Sequence, residues 1–88
     1  MIEREAMIVN QDGLHARPAA RIVRLANTFD ADIELSKDGV EVNGKSIMGV
    51  MMLAAECGSS ITIRANGPDA EQAVTALAAL VAEGFGEP

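Results

Sequence analysis

Apolar residues recur along this chain in two rhythms, and the switches between them mark the elements. Arg4–Val9 reads as a first strand, closed by the turn-forming run Asn10-Gln11-Asp12-Gly13. From Ala16 to Asn27 the period changes: Ala19, Ile22, Val23 and Ala26 stand at i, i+3, i+4 and i+7, which predicts a helix with one apolar stripe. Ile33–Ser36 and Val40–Val42 alternate apolar with polar and flank Lys37-Asp38-Gly39, where Asp-Gly signals a hairpin. Ser46 reads as the N-cap of a short apolar helix, Ile47–Leu53, and Gly58 ends that region. Ser60–Ala65 alternates again as a fourth strand. Asn66-Gly67-Pro68-Asp69 opens the last helix, with Pro68 near its first position and Asp69 and Glu71 suited to the positive helix end. Ala70, Ala73, Val74, Leu77, Leu80 and Val81 form its core stripe, Gly84 is its C′ residue, and Phe85 folds back as the hydrophobic contact. The order β-α-β-β-α-β-α with alternating strands predicts an α+β fold, its sheet buried on one face by the helices.

Composition narrows this. Eighty-eight residues make one small domain, 1–88. Aromatics are 2% of the chain, Phe29 and Phe85, so the core is expected to be aliphatic. Cys57 is alone, which excludes an intrachain disulfide, and one Cys with one His cannot assemble an ordinary structural zinc site; no metal or cofactor is expected. Met1-Ile2-Glu3-Arg4-Glu5 carries no apolar segment of a secretory signal. The apolar runs Ile47–Ala55 and Ala76–Ala82 fall short of the roughly 20 residues that span a bilayer. A cytoplasmic protein without membrane contact is expected. The net charge of −6 argues against a nucleic-acid partner. Yet Arg17, Arg21 and Arg24 fall on one side of the first helix, away from its apolar stripe.

That basic face begins beside the only histidine. In Gly13-Leu14-His15-Ala16-Arg17-Pro18-Ala19-Ala20, Pro18 marks a first helical turn, so His15 sits at the helix N-terminus. Backbone N–H groups and the helix dipole make such a position ready for an anion. Neutral imidazole is a nucleophile near neutral pH, and guanidinium–phosphate hydrogen bonds are strong. A cation at Arg17 opposes the dipole mildly, a cost more easily understood if an anion visits. On its own a loop histidine is most simply a surface residue; this setting favours one that accepts a phosphoryl group.

The block Gly13–Ala20 resembles the active-site signature of the HPr family, the histidine-containing phosphocarriers of the bacterial phosphoenolpyruvate-dependent phosphotransferase system. The resemblance covers nearly the whole chain and includes a second block, Asn43-Gly44-Lys45-Ser46-Ile47-Met48-Gly49-Val50-Met51. It implies an open-faced β-sandwich, four antiparallel strands with three helices on one side. It implies a carrier rather than an enzyme: His15, phosphorylated on Nδ1, accepts the group from enzyme I and gives it to an enzyme IIA, assisted by Arg17 and the helix start at Ala16, Arg17 and Pro18. It implies that Ile47, Met48 and Met51 form an exposed docking patch. Arg21 and Arg24 read equally as a solvated face or as charges that steer acidic partner surfaces toward His15, and a monomer is expected. It further implies that Ser46 is a target of a serine kinase and phosphorylase, and that the modified form binds a transcriptional regulator.

Three readings compete with parts of this picture. Gly39-Val40-Glu41-Val42-Asn43-Gly44-Lys45-Ser46 formally matches a nucleotide phosphate loop, but strand-like residues lie inside the match and only a short segment follows, so no ATPase is expected. A Met-rich helical stripe is most simply core, and some of Ile47, Met48, Met51 and Met52 are expected to be buried, though one short helix cannot bury all four. Finally, Glu83-Gly84-Phe85-Gly86-Glu87 and the alanine-rich last helix resemble the nitrogen-related branch of the family, whereas Lys45–Gly49 resembles the sugar branch. The alternative to sugar-system relay is therefore a regulatory HPr-like module, nitrogen-related or a serine-phosphorylated corepressor, acting through its partners.

Overall fold

A computed structural model describes residues Met1–Pro88. The strands are β1 (Ile2–Met7), β2 (Asp32–Lys37), β3 (Val40–Asn43) and β4 (Ser60–Asn66), and the helices α1 (Ala16–Ala26), α2 (Ile47–Met52) and α3 (Ala70–Ala82), followed by one 3-10 turn, Gly84–Gly86. All strand pairs are antiparallel and the sheet order is β1-β4-β2-β3. β4 is thus inserted between β1 and β2, which the α1 crossover connects.

The period-2 pattern decides which face is covered. Ile33 and Leu35 on β2 and Ile61, Ile63 and Ala65 on β4 are buried beneath the helices, where they meet Ala19, Ile22 and Ala26 of α1 and Val74, Leu77 and Val81 of α3. The other face is polar. Its centre is Arg64, which donates to Glu3 (2.6 Å), Glu34 (3.0 Å) and Glu41 (3.3 Å) across all the other strands. These carboxylates hold the guanidinium proton still more firmly than usual, through Glu3 first. The hairpin is as predicted: Lys37 pairs with Val40, and both loop residues have positive φ, Asp38 at 51° and Gly39 at 83°, the signature of a type I′ turn.

Some boundaries move. β1 begins at Ile2, because Ile2 is already in register with Ala65, and ends at Met7 rather than Val9. Beyond Met7 the chain still exchanges bonds with the segment before β4 (Ile8 N–H to Ser59 O, 2.8 Å; Gly58 N–H to Ile8 O, 2.7 Å), but it is already turning. In α1 the stripe takes in Pro18, while Val23 is only half-buried; in α3 Leu80 is likewise half-buried.

Pro68 lies outside α3, not at its first position, because Asp69 is the N-cap. Asp69 does not cap with its side chain. Its carboxylate accepts instead from the backbone N–H groups of Asp30 (2.9 Å) and Ala31 (2.8 Å), tying the loop before β2 to the start of α3. Those donors, Asp30 first, hold its pKa below the usual carboxylate value. A depressed folded-state pKa means this tie stabilises the fold fully above the ordinary aspartate range and is lost as pH falls through the lower, folded value. Asp69→Asn should therefore lower the thermal midpoint at neutral pH and flatten the loss of stability on acidification, as followed by circular dichroism between pH 7 and pH 2.

Candidate functional site

His15 is the N-cap residue of α1, in extended conformation (φ −84°, ψ −169°), with its side chain outside the helix. Two devices place it there. Leu14 is buried and its N–H donates to Ala55 O (2.8 Å), anchoring the approach to the core. Gly13 has φ +70°, and a Cβ there would stand 2.7 Å from the carbonyl oxygen of Ala55, so both backbone conformation and space require glycine. The His15 side chain is 43% exposed and borders a shallow groove with Asp12, Leu14, Ala55, Glu56 and Cys57.

No side chain caps α1 and no acidic residue lies in its first turn, so the N–H groups of Ala16 and Arg17 have no protein acceptor. Pro18 has no N–H to satisfy. The predicted juxtaposition is therefore present: exposed imidazole, two free N–H donors at the positive end of a helix, and an exposed Arg17. Arg24 is exposed too. Arg21 is partly committed elsewhere, since its Nη1 donates to Phe85 O at 2.8 Å.

That contact belongs to a part of the site invisible to the sequence reading. After α3, Gly84, Phe85 and Gly86 all adopt left-handed backbone (φ 64°, 59° and 73°). For Phe85 this conformation costs roughly 1–2 kcal/mol, but its ring is completely buried, a gain of about 1.5–3 kcal/mol, and burial wins. The segment is turned back across α1, and Glu87 arrives at the histidine: its Oε1 lies 3.0 Å from His15 Nε2 and accepts from Asn10 Nδ2 at 3.2 Å. The bond from His15, then the one from Asn10 and the charge of Arg17, hold the Glu87 carboxyl below its usual pKa against the opposing effect of burial. Asn10, 1% exposed, also donates to Gly13 O at 2.7 Å and so buttresses the same turn.

Ser46 caps α2 as predicted, its Oγ accepting from Gly49 N–H at 3.2 Å. Lys45 donates to Phe29 O at 2.7 Å, and with β3 inside the match and a six-residue helix after it, the phosphate-loop likeness has no structural counterpart. The expectation that some of the Ile47, Met48, Met51 and Met52 side chains are core is overturned. Val50 and Leu53 are the buried residues here, and all four others are exposed, Met48 at 79% and Met52 at 71%. A helix of this length reaches the core with one narrow edge only, so the apolar patch is wider than predicted by Met52. α2 packs against α1.

The chain matches the family model described as the PTS HPr component phosphorylation site over residues 2–83. It is 48% identical to the phosphocarrier protein HPr of Cupriavidus necator over 87 residues, covering 99% of this chain and 98% of that one. It is 46% identical to the HPr-like protein Crh of Bacillus subtilis over 83 residues, 94% of this chain and 98% of that one. The crystal structure of an HPr from Thermoanaerobacter tengcongensis superposes with a TM-score of 0.95 at 44% identity, covering 100% of this chain and 99% of that one. An HPr dimer from the same organism superposes at 0.79 with 45% identity, covering 99% and 100%. Fold and site thus define a small phosphocarrier scaffold. The chain belongs to the HPr family, the phosphocarrier proteins of the phosphotransferase system. No helix in it is long and apolar enough to cross a membrane.

Gly13→Ala should destabilise the fold by roughly 1–3 kcal/mol in urea unfolding, the range for a strained backbone position, and should broaden the His15 resonances by loosening its turn.

Proposed function

We propose that this protein accepts a phosphoryl group on His15 from phosphorylated enzyme I and passes it to an enzyme IIA of a sugar phosphotransferase system. The observation that carries this reading is an exposed imidazole at the uncapped start of α1. Nδ1 is the nucleophile. Arg17 and the N–H groups of Ala16 and Arg17 stabilise the transferred group, and Pro18 fixes the turn that presents them. The phosphoramidate bond is labile, which lets the group move on; the protein is a carrier and has no turnover of its own. Ile47, Met48 and Met51, joined by Met52, offer an adaptable apolar surface for successive partners. Arg17 and Arg24 supply the local positive field on an otherwise acidic molecule; Arg21 contributes to it while holding the Phe85 carbonyl. The protein acts in the cytoplasm as a monomer, without metal, cofactor or nucleic acid.

Ser46 is the proposed regulatory site for a serine kinase and its phosphorylase. Phosphorylation would keep a charge favourable to the helix start while adding about two negative charges next to Ile47 and Met48, weakening docking to acidic enzyme surfaces. The second reading, a regulatory module that works by binding a transcriptional regulator, is favoured by the 46% identity to an HPr-like protein, Crh. The anion-ready surroundings of His15 favour the relay.

Incubation with enzyme I, Mg²⁺ and phosphoenolpyruvate should add one acid-labile phosphoryl group by intact-protein mass spectrometry. His15→Ala should acquire none while keeping its circular dichroism spectrum; labelling of that variant would overturn the assignment. Ser46→Ala should abolish labelling by an ATP-dependent serine kinase, leave transfer to His15 intact, and cost about 1 kcal/mol of stability, as expected for a lost N-cap.

A further inference from the structure

The partner of His15 is chemically directional. An ionised carboxylate only accepts hydrogen bonds, so at 3.0 Å from Glu87 Oε1 the Nε2 atom of His15 is the donor. The neutral ring then carries its proton on Nε2 and a free lone pair on Nδ1. The carboxylate is itself held in place. Asn10 Nδ2 donates both to Glu87 Oε1 (3.2 Å) and to Gly13 O (2.7 Å), while Asn10 Oδ1 is buried without a partner. Turning that amide over would set its oxygen against two acceptors, so its orientation is fixed. On the main chain, Gln11 N–H donates to Pro88 O (2.9 Å) and Arg21 to Phe85 O (2.8 Å), bracketing Glu87 on both sides. Arg17, Asp12, Glu56 and the Cys57 thiol are the other charged or titratable groups around the ring; Glu87 is the one recorded in hydrogen-bond contact with it.

We propose that Glu87 is a positioning residue for phosphoryl transfer: seated by Asn10, its carboxylate holds the Nε2 proton, presents Nδ1 as the nucleophile, and offsets the positive charge the ring gains in reaction. The proposal rests on the reading of His15 as the phosphoryl acceptor. In the step, the Nδ1 lone pair forms a bond to phosphorus as the bond from phosphorus to the phosphorylated donor breaks, that electron pair returning to the donor. The Nε2 proton stays between His15 and Glu87 throughout, so no proton, oxidant or reductant is exchanged. In the onward step the same protonated Nε2 makes His15 the better leaving group. The carboxylate lies on the Nε2 side of the ring, away from the phosphoryl group, so it supports the ring's charge without meeting the phosphate head-on.

The test combines ¹⁵N NMR of the neutral His15 ring with steady-state transfer from enzyme I and phosphoenolpyruvate, for the native protein, Glu87→Gln, Glu87→Ala and Glu87→Asp. The native ring should show Nε2 protonated and Nδ1 bare, and Glu87→Ala should show both tautomers in exchange. Glu87→Gln, which keeps the shape and removes the charge, should lower kcat roughly tenfold with little change in KM, the scale of one hydrogen bond to a charged group. Glu87→Asp should recover part of that loss. If Glu87→Gln and Glu87→Ala accept phosphoryl groups at the native rate with an unaltered tautomer, Glu87 has no such role and the relay reading stands. If the native protein gains no phosphoryl group at all, the reading of His15 itself fails, and this proposal with it.

Discussion

The structure depends on the sheet having only one face to bury. With Arg64 and its three carboxylate partners occupying the other, apolar side chains of β2 and β4 can be covered from one side alone, and all three helices must share that side. Crowding three helices onto one small sheet makes α1 touch both α2 and α3. It also obliges the chain after α3 to run back over α1. The surroundings of His15 are a by-product of that packing: α2 lies against α1, and the segment carrying Glu87 is brought back to the start of α1. A sheet covered on both faces would have distributed these elements.

Anchoring and exposure are divided between neighbours in sequence. Leu14 is buried and His15 exposed; Val50 is buried and Met51 exposed; Phe85 is buried and Glu87 keeps 15% of its side chain open. In each case an apolar anchor fixes backbone whose next residues are presented at the surface, where the proposed chemistry and docking need them. The energy of placement comes from burial, and the functional groups remain free of it. This matters most at His15, where the positive helix end is left without a side-chain cap. Leaving N–H donors unsatisfied forgoes on the order of 1 kcal/mol that an N-cap side chain usually contributes. The anchors at Leu14 and Phe85 more than offset that.

Much of the fold was legible because it is written in local rules. The two periods, with the cap at Ser46 for α2, located the four strands and three α-helices but not the 3-10 turn, Asp38-Gly39 specified its turn through its φ values, and Ser46 capped the helix it was expected to cap. The block around His15 was legible as an anion-ready helix start for the same reason. The errors share a cause of the opposite kind. Pro68 was expected near the first position of α3 and Asp69 to suit its positive end, but Asp69 is the N-cap and its carboxylate is claimed by Asp30 and Ala31, far away in sequence. Some of the methionine stripe resembles core by composition, and Met52 lay outside the expected exposed patch, but how much of α2 is covered depends on how it packs against α1. β1 begins early because a distant residue, Ala65, is there to pair with Ile2.

Glu87 is the strongest example of what sequence alone withholds. Nothing at the level of spacing connects it to His15, 72 residues earlier. The connection is made by three successive left-handed residues, two of them glycines, and by the complete burial of Phe85 between them. Gly84 was readable as a helix stop, and Phe85 as its hydrophobic contact, yet the consequence for the residue two positions on was not. A helix-termination motif, by setting the direction in which the chain leaves, determines which side chain reaches the imidazole. The same phenyl group that closes the core therefore aims the carboxylate, which is why Glu87 sits against His15 rather than in open solvent.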